Sequence, residues 1–196
     1  LMEFRARSKN PDHPDNAEVF GVLGTLASAR VDNPAALAAF DSEVGILERG
    51  LGREHPTLAG PLINRGLSYL DLGRLDEAEA DLLRAEALLA ALPGDSPDLA
   101  HPLVGLGGVA LRRGDGLKAR TMAERASAYA AREARDPTLL ADVAWLHARA
   151  LRMIGEEPER AVALGQTALT ICREKLAATP ENRAFAAEIE AWLAGK

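Results

Sequence analysis

The side chains best suited to acid–base chemistry form one acidic run, Asp76, Glu77, Glu79 and Asp81. Paired carboxylates act as general acid and general base only where their surroundings push the two pKa values apart. This run follows a glycine-containing turn, and acidic residues are stabilised at the start of a helix by the positive end of the helix dipole. We therefore interpret the run as a solvated helix start, not as a catalytic site.

Histidine and cysteine, the usual metal ligands and nucleophiles, are few and scattered. The four histidines are His13, His55, His101 and His147, and none has a cysteine or histidine partner at a spacing typical of zinc sites. The single cysteine, Cys172, lies in the apolar stretch "ALTICREKL", which favours a buried structural thiol over a nucleophile. We predict no metal site and no cofactor, and a lone cysteine fits a reducing, cytoplasmic compartment.

Two short motifs resemble functional signatures but lie in the wrong context. The stretch "GLGG" at 105–108 resembles part of a dinucleotide-binding loop, yet it falls inside a predicted helix with no strand before it. The stretch "RGD" at 113–115 falls in a predicted turn between helices. No phosphate-binding loop, metalloprotease or serine-hydrolase motif is present in the sequence. The sequence therefore predicts a protein that is not an enzyme.

The composition favours helices and excludes two classes of partner. Of the 196 residues, 47% are apolar and only 4% aromatic, and alanine, the strongest helix former, dominates the apolar set. The net charge is −6 and no basic stripe is present, so nucleic acid is not expected as a partner. The apolar stretch "ALLAAL" at 87–92 is too short to cross a membrane.

A repeat of about 42 residues organises the chain. Five segments open on a proline, at positions 14, 56, 97, 137 and 180, and each of the first four continues with one helical pattern, a turn and a second helical pattern. Three of these turns contain glycine, whereas the first, "RVDNPA" at 30–35, does not. We predict repeats at 13–54, 55–95, 96–135 and 136–179, a capping helix at 180–196, and at 1–12 the tail of a preceding repeat's second helix.

Small residues recur at matching places in these units. Small side chains let helix axes approach closely and make room for a large residue opposite. On the first helices these residues are Gly24, Gly66, Gly107 and Ala148, and on the second helices they are Ala36, Ala78, Ala119 and Ala161, with Ala85, Ala126 and Ala168 further along. The large partners predicted for them are Phe20, Leu62, Leu103, Phe40 and Leu82.

The second unit carries a resemblance to a known family. Its residues Leu62, Gly66, Tyr69, Gly73, Ala78, Leu82 and Ala85 occupy the signature places of the tetratricopeptide repeat, in the longer form found in kinesin light chains. The resemblance implies an all-α superhelix of four helix-turn-helix repeats with a terminal capping helix. The other units depart from the pattern in places, with Glu43 where alanine is usual and Gly165 where a large residue is usual.

The family's architecture also implies where a partner would bind. First helices line a concave groove, so the resemblance places Glu18, Val22 and Thr25 of the first unit there, with Ile63, Asn64, Leu67 and Asp71 of the second, His101, Val104, Gly108 and Arg112 of the third, and Asp142, Trp145, Arg149 and Arg152 of the fourth. We select Asn64, Asp71, His101, Arg112, Trp145, Arg149 and Arg152 as the partner-binding residues. A core position remains an alternative for Trp145.

The resemblance implies a non-catalytic scaffold that holds a peptide or protein segment in this groove. Some relatives grip a peptide's terminal carboxylate with a lysine-and-asparagine clamp, of which only Asn64 is matched here, so no such clamp is expected. Arg112, Arg149 and Arg152 are instead expected to attract an acidic segment.

Two further interpretations remain open. The ending "AEIEAWLAG" resembles C-terminal regions of large bacterial serine/threonine protein kinases, in which such repeats would recruit substrates or regulators. The apolar residues Met2 and Phe4, expected to lack their usual neighbouring helix, could alternatively support a homodimer through the N-terminal end.

Overall fold

The computed structural model describes residues 15–94, 96–131, 136–177 and 179–195. Within these ranges the regular structure is entirely helical and contains no strand, which confirms the predicted all-α fold class. The chain divides into two compact units, Leu1–Pro93 and Gly94–Lys196. The N-terminal helix tail predicted at 1–12 and the dimer contact predicted for Met2 and Phe4 lie outside the described residues.

The first unit consists of two helical hairpins. Helices α1 (Asp15–Ser28) and α2 (Asn33–Leu51) form the first, and α3 (Ala59–Asp71) and α4 (Leu75–Ala90) form the second. A single 3₁₀ turn, Pro56–Leu58, leads into α3. Helix α2 packs against both α1 and α3, so it holds the two first helices of the hairpins in place.

The second unit repeats the arrangement and adds one helix. Helix α5 (Ala100–Arg112), entered through a 3₁₀ turn at Pro97–Leu99, pairs with α6 (Gly116–Ala130). Helices α7 (Pro137–Ile154) and α8 (Pro158–Lys175) form the next hairpin, and α9 (Pro180–Leu193) packs against α8. Helices α7, α8 and α9 each start on a proline, which is tolerated in the first turn because its missing N–H has no partner there in any case.

All four hairpins close their first helix with the same hydrogen bond. The N–H of Asp32, Arg74, Asp115 and Glu156 each donates to the carbonyl five residues earlier, at 2.9 to 3.1 Å. This Schellman motif needs a left-handed residue just before the donor. Gly73 supplies it in the second hairpin, with φ of 74°. In the first hairpin Val31 takes that place with φ of 58°, although the sequence indicated only a turn built on Asn33 and Pro34.

Predicted small residues lie at the helix contacts. The eight alanines that the repeat placed there are buried: Ala36, Ala78, Ala85, Ala119, Ala126, Ala148, Ala161 and Ala168. A Cβ on Gly24 would come within 2.5 Å of Phe40 Cε1, and one on Gly66 within 2.9 Å of Leu82 Cγ. Gly107 is different, because it faces Leu146 on α7 rather than a residue of its own hairpin. The close contacts therefore join hairpins as well as the helices within them.

Replacing Val31 by glycine is expected to stabilise the protein. A β-branched residue is strained at positive φ, and the Val31 side chain is 71% exposed, so its removal loses little packing. We expect the free energy of unfolding to rise by about 0.5–1 kcal/mol, measured by chemical denaturation. The reverse change at the equivalent site, Gly73→Val, should lower it by about 1–2 kcal/mol. A lower free energy of unfolding for Val31→Gly would show that the positive φ of Val31 does not strain the folded protein.

Candidate functional site

The first unit contains an open cavity of about 380 Å³ between α1 and α3, the first helix of each of its two hairpins. We name this cavity the α1–α3 pocket, and it is lined by Glu18, Gly21, Val22, Thr25, Leu26, Glu43 and Asn64. Four of these residues, Glu18, Val22, Thr25 and Asn64, are groove positions inferred from the family pattern. The structure thus brings together, on one surface, residues that lie up to 46 positions apart in the sequence.

Glu43 lies at the α2 side of this pocket and was not predicted as a site residue. Its side chain is buried, at 9% exposure, and no hydrogen bond to its Oε2 atom is found among the described residues. Burial raises the pKa of Glu43 from its ordinary value of 4.5 to about 7. The only signal in the sequence was that glutamate replaces the alanine that is usual at this place.

Gly21 is what allows this carboxyl group to lie against α1. A Cβ on Gly21 would come within 2.5 Å of Glu43 Oε1 and 2.9 Å of its Cδ, which is closer than non-bonded atoms approach. Any other residue at position 21 would push the carboxyl group out of its place. Gly21 and Glu43 therefore act as a pair, one on each helix of the first hairpin.

The other groove residues predicted in the first unit divide between surface and core. Asn64, Leu67 and Asp71 are exposed on α3, as expected. Ile63 is buried at 9% exposure, so its assignment to the groove is wrong. Consecutive helical residues point about 100° apart, and the residue next to Asn64 has turned into the contact with the neighbouring helices.

Arg65 ties three helices together beneath this surface. Its Nε donates to Asp81 Oδ2 at 2.6 Å and its Nη2 to Asp81 Oδ1 at 2.8 Å, while its Nη1 donates to Asp41 at 3.1 Å. Burial alone would lower the pKa of Arg65, but the hydrogen bonds and charge of Asp81 raise it overall. Interpreting the whole acidic run as solvated was therefore wrong for Asp81, which is 8% exposed.

In the second unit, the predicted site residues on α5 remain at the surface. Arg112 is exposed and His101 is partly buried, and both stay available as candidate contacts. On α7, burial and the nearby charge of Asp136 raise the pKa of Asp142 to about 7. His147 and Cys172 are buried, at 4% and 5% exposure. Burial lowers the pKa of His147 and raises that of the Cys172 thiol, so both groups are uncharged at neutral pH.

Trp145 is a core residue and not a groove residue. It is 5% exposed and lies in a cluster with Ala168, Cys172 and Ile189. Its ring meets the edges of Phe185 and Trp192 of α9, with centroids 6.5 and 5.2 Å away. Helix α9 covers the ring because Phe185 and Trp192 bury their own apolar surface against it. This packing supports the core alternative for Trp145.

Both predicted arginines of α7 contact aromatic rings in the same cluster. The Arg149 guanidinium lies 5.7 Å from the Trp145 ring centroid. Arg152 donates to the Trp192 carbonyl oxygen at 2.7 Å, and its guanidinium lies 4.5 Å from the Trp192 ring. Arg152 therefore fastens the end of α9 to α7, a role that the sequence did not indicate.

A second cavity, of about 270 Å³, lies beside this fastening and was missed by sequence reasoning. It is lined mainly by apolar residues, with Arg152 and Glu156 at its edge: Leu151, Arg152, Gly155, Glu156, Pro158, Ala161, Val162, Trp192 and Leu193. The described part of the chain contains no group of three or more metal-ligating side chains. No described helix has the length and apolar character needed to span a bilayer.

The raised pKa of Glu43 makes stability depend on pH. An unfolded carboxyl group loses its proton near pH 4.5, whereas the folded one keeps it to about pH 7, so stability falls as pH rises between these values. Glu43→Gln removes this fall. Its stability relative to the natural protein should increase by about 1–3 kcal/mol from pH 4.5 to pH 7.5, measured by urea denaturation.

The matched control is Glu54→Gln, which alters an exposed glutamate of the same unit. It shows what the loss of one glutamate charge does to stability without a change at the pocket. A stability difference for Glu43→Gln that does not change between pH 4.5 and pH 7.5 would show that Glu43 ionises normally in the folded protein.

Comparison with known proteins gives one family match, over part of the chain. No curated protein matches the sequence. Residues 56–131, about two fifths of the chain, match the family model described as tetratricopeptide repeat. The matched region begins with the 3₁₀ turn before α3 and ends just after α6. Residues 56–131 are thus similar to tetratricopeptide repeats, in agreement with the signature residues in the predicted repeat at 55–95.

Proposed function

We propose that this protein is a non-catalytic interaction module that binds a peptide or protein segment on the surface that first helices form within a unit. Tetratricopeptide repeats generally mediate protein–protein interactions, and stacked helical repeats offer extended binding surfaces. The observation that carries the proposal is the α1–α3 pocket, where inferred groove residues from two hairpins share one cavity. No reaction is assigned to the module.

The proposed binding residues differ between the two units. In the first unit we assign Asn64 and Asp71, together with Leu67, which is 37% exposed one turn beyond Asn64. In the second unit His101 and Arg112 are proposed as contacts. Arg149 and Arg152 remain candidates only for the charged part of a partner, since their guanidinium groups already stack on tryptophan rings.

We retain the division into repeats at 13–54, 55–95, 96–135 and 136–179 as part of this proposal. Residues 180–196 would serve as the cap, because the apolar side of α9 covers Trp145 and buries Ile189 completely. A terminal cover of this kind is what a repeat array needs at its last apolar face.

A second candidate function concerns a larger parent protein. The ending "AEIEAWLAG" resembles C-terminal regions of bacterial serine/threonine protein kinases, in which the repeats would recruit substrates or regulators. The sequence encoded upstream of Leu1 distinguishes the two candidates. A kinase domain there supports the second candidate, and its absence leaves the interaction module alone.

The module can be tested without knowing its partner. Peptides selected from a random 12-residue phage library should bind the natural protein. They should bind the Leu67→Glu variant at least tenfold more weakly, because a buried charge disrupts an apolar contact. Leu83→Glu is the matched control, since Leu83 is exposed on the second helix α4. Its affinity should stay within about twofold. Equal loss in both variants, or no selected peptide, would contradict the proposed surface.

A further inference from the structure

The α1–α3 pocket holds a buried carboxyl group whose Oε2 has no partner within the described part of the chain. A buried polar atom without a hydrogen bond is costly, and native structures contain few of them. The other buried unpaired side-chain atom among the described residues is Nε2 of His147, a group whose charge burial disfavours. Glu43 differs from His147 because its side chain lines an open cavity.

The walls of the pocket define what that ligand must be. Glu18, an exposed carboxylate, stands on the α1 side, and Asn64 offers an amide on the α3 side. Between them Val22 and Leu26 are 54% and 50% exposed and give the cavity its apolar surface. Among the described residues, no lysine or arginine lines the cavity. An apolar channel with carboxylates along it matches a cation on an aliphatic stem.

Arg65 is a described cation of the first unit that is already engaged. Arg65, which follows Asn64 on α3, gives its Nε and Nη2 protons to Asp81 and its Nη1 to Asp41. Its guanidinium therefore does not neutralise Glu43, and no charged group contributes to the shifted pKa of that residue. The carboxyl group is left for a charge that comes from outside.

We propose that the α1–α3 pocket binds a lysine side chain of a partner protein, whose ammonium group donates to Glu43 and Glu18 while its methylene stem lies along Val22 and Leu26. The proposal rests on the function proposed above and names the partner's chemistry, a segment that presents lysine. Lysine fits better than arginine, because an ammonium is a compact charge on a flexible four-carbon stem, whereas a guanidinium is a larger planar group.

Lysine binding is coupled to loss of the Glu43 proton. Glu18 on α1 lines the same cavity as Glu43, Arg65 is paired with Asp41 and Asp81, and the turn Pro56–Leu58 carries no charge. A bound ammonium stabilises the ionised carboxylate, so the affinity for lysine should rise with pH through about 7, the pKa of Glu43 in the folded protein without ligand. This pH dependence distinguishes binding at Glu43 from binding at an exposed acidic residue.

The test uses the ¹⁵N-labelled chain titrated with Nα-acetyl-lysine N-methylamide at pH 8, followed by NMR. We expect saturable shifts of the Gly21 and Thr25 amide signals with a Kd of about 1 mM, a value typical of one weakly held group. The norleucine analogue has the same stem without the charge and should not saturate. The arginine analogue should bind more weakly than lysine.

Two substitutions check that the shifts arise in the pocket. Glu43→Gln, which keeps the size of the side chain, should weaken lysine binding about tenfold or more, since the negative charge that pairs with the ammonium is lost. It should also abolish the rise in affinity between pH 6 and pH 8. Gly21→Ala, which displaces the carboxyl group, should weaken binding as well, and Glu54→Gln should leave it within about twofold. Thermal melting confirms that each variant is folded.

Several results would overturn the proposal. Equal binding of the lysine and norleucine analogues, unchanged affinity in Glu43→Gln, or tighter binding of the arginine analogue would each do so. The proposed interaction function has a separate test in the displayed peptides. If peptides bind and respond to Leu67→Glu while the lysine analogue does not bind, the module stands and only the lysine pocket is wrong.

Discussion

The close approach of a backbone to a large side chain is the contact on which the rest of the structure depends. Gly24 receives Phe40 and Gly66 receives Leu82, and in each pair a single added carbon would overlap the partner. Because Phe40 and Leu82 are buried, neither can move aside cheaply. These contacts set the distance within each hairpin, and α2 then holds α1 and α3 at the spacing that opens the pocket between them.

The same device explains a departure from the repeat pattern in the second unit. Gly165 stands where a large residue is usual, and a Cβ there would come within 2.9 Å of the Trp192 ring. The glycine on α8 thus makes room for a tryptophan on α9, whose ring also meets Trp145. Gly165 and Trp192 therefore fit together across two helices, a relation that the sequence alone does not show.

Local patterns in the sequence were enough to predict the helices, the hairpin turns and the small residues at the contacts. These features repeat at a fixed interval and depend mainly on neighbouring residues. The sequence could not show that Val31 takes a left-handed conformation, that Gly107 meets Leu146 of the next hairpin, or that α9 covers Trp145. Each depends on packing between segments distant in sequence.

The candidate site divides in the same way. Glu18, Val22, Thr25 and Asn64 could be placed by the family pattern, because groove positions recur in phase with the repeat. Glu43 could be noticed as an unusual residue, but its meaning depends on burial and on the absence of a side chain at Gly21. Ile63 was misplaced because one residue along a helix separates a surface position from a buried one.

A double-mutant cycle between Gly24→Ala and Phe40→Leu tests the central contact most directly. Shortening Phe40 removes the ring carbon that an alanine at position 24 would meet, so the cost of Gly24→Ala should fall in the Phe40→Leu background. The predicted coupling is about 1–2 kcal/mol in the free energy of unfolding. Strict additivity of the two substitutions would contradict the account, because it would show that the two residues do not set the spacing of their helices.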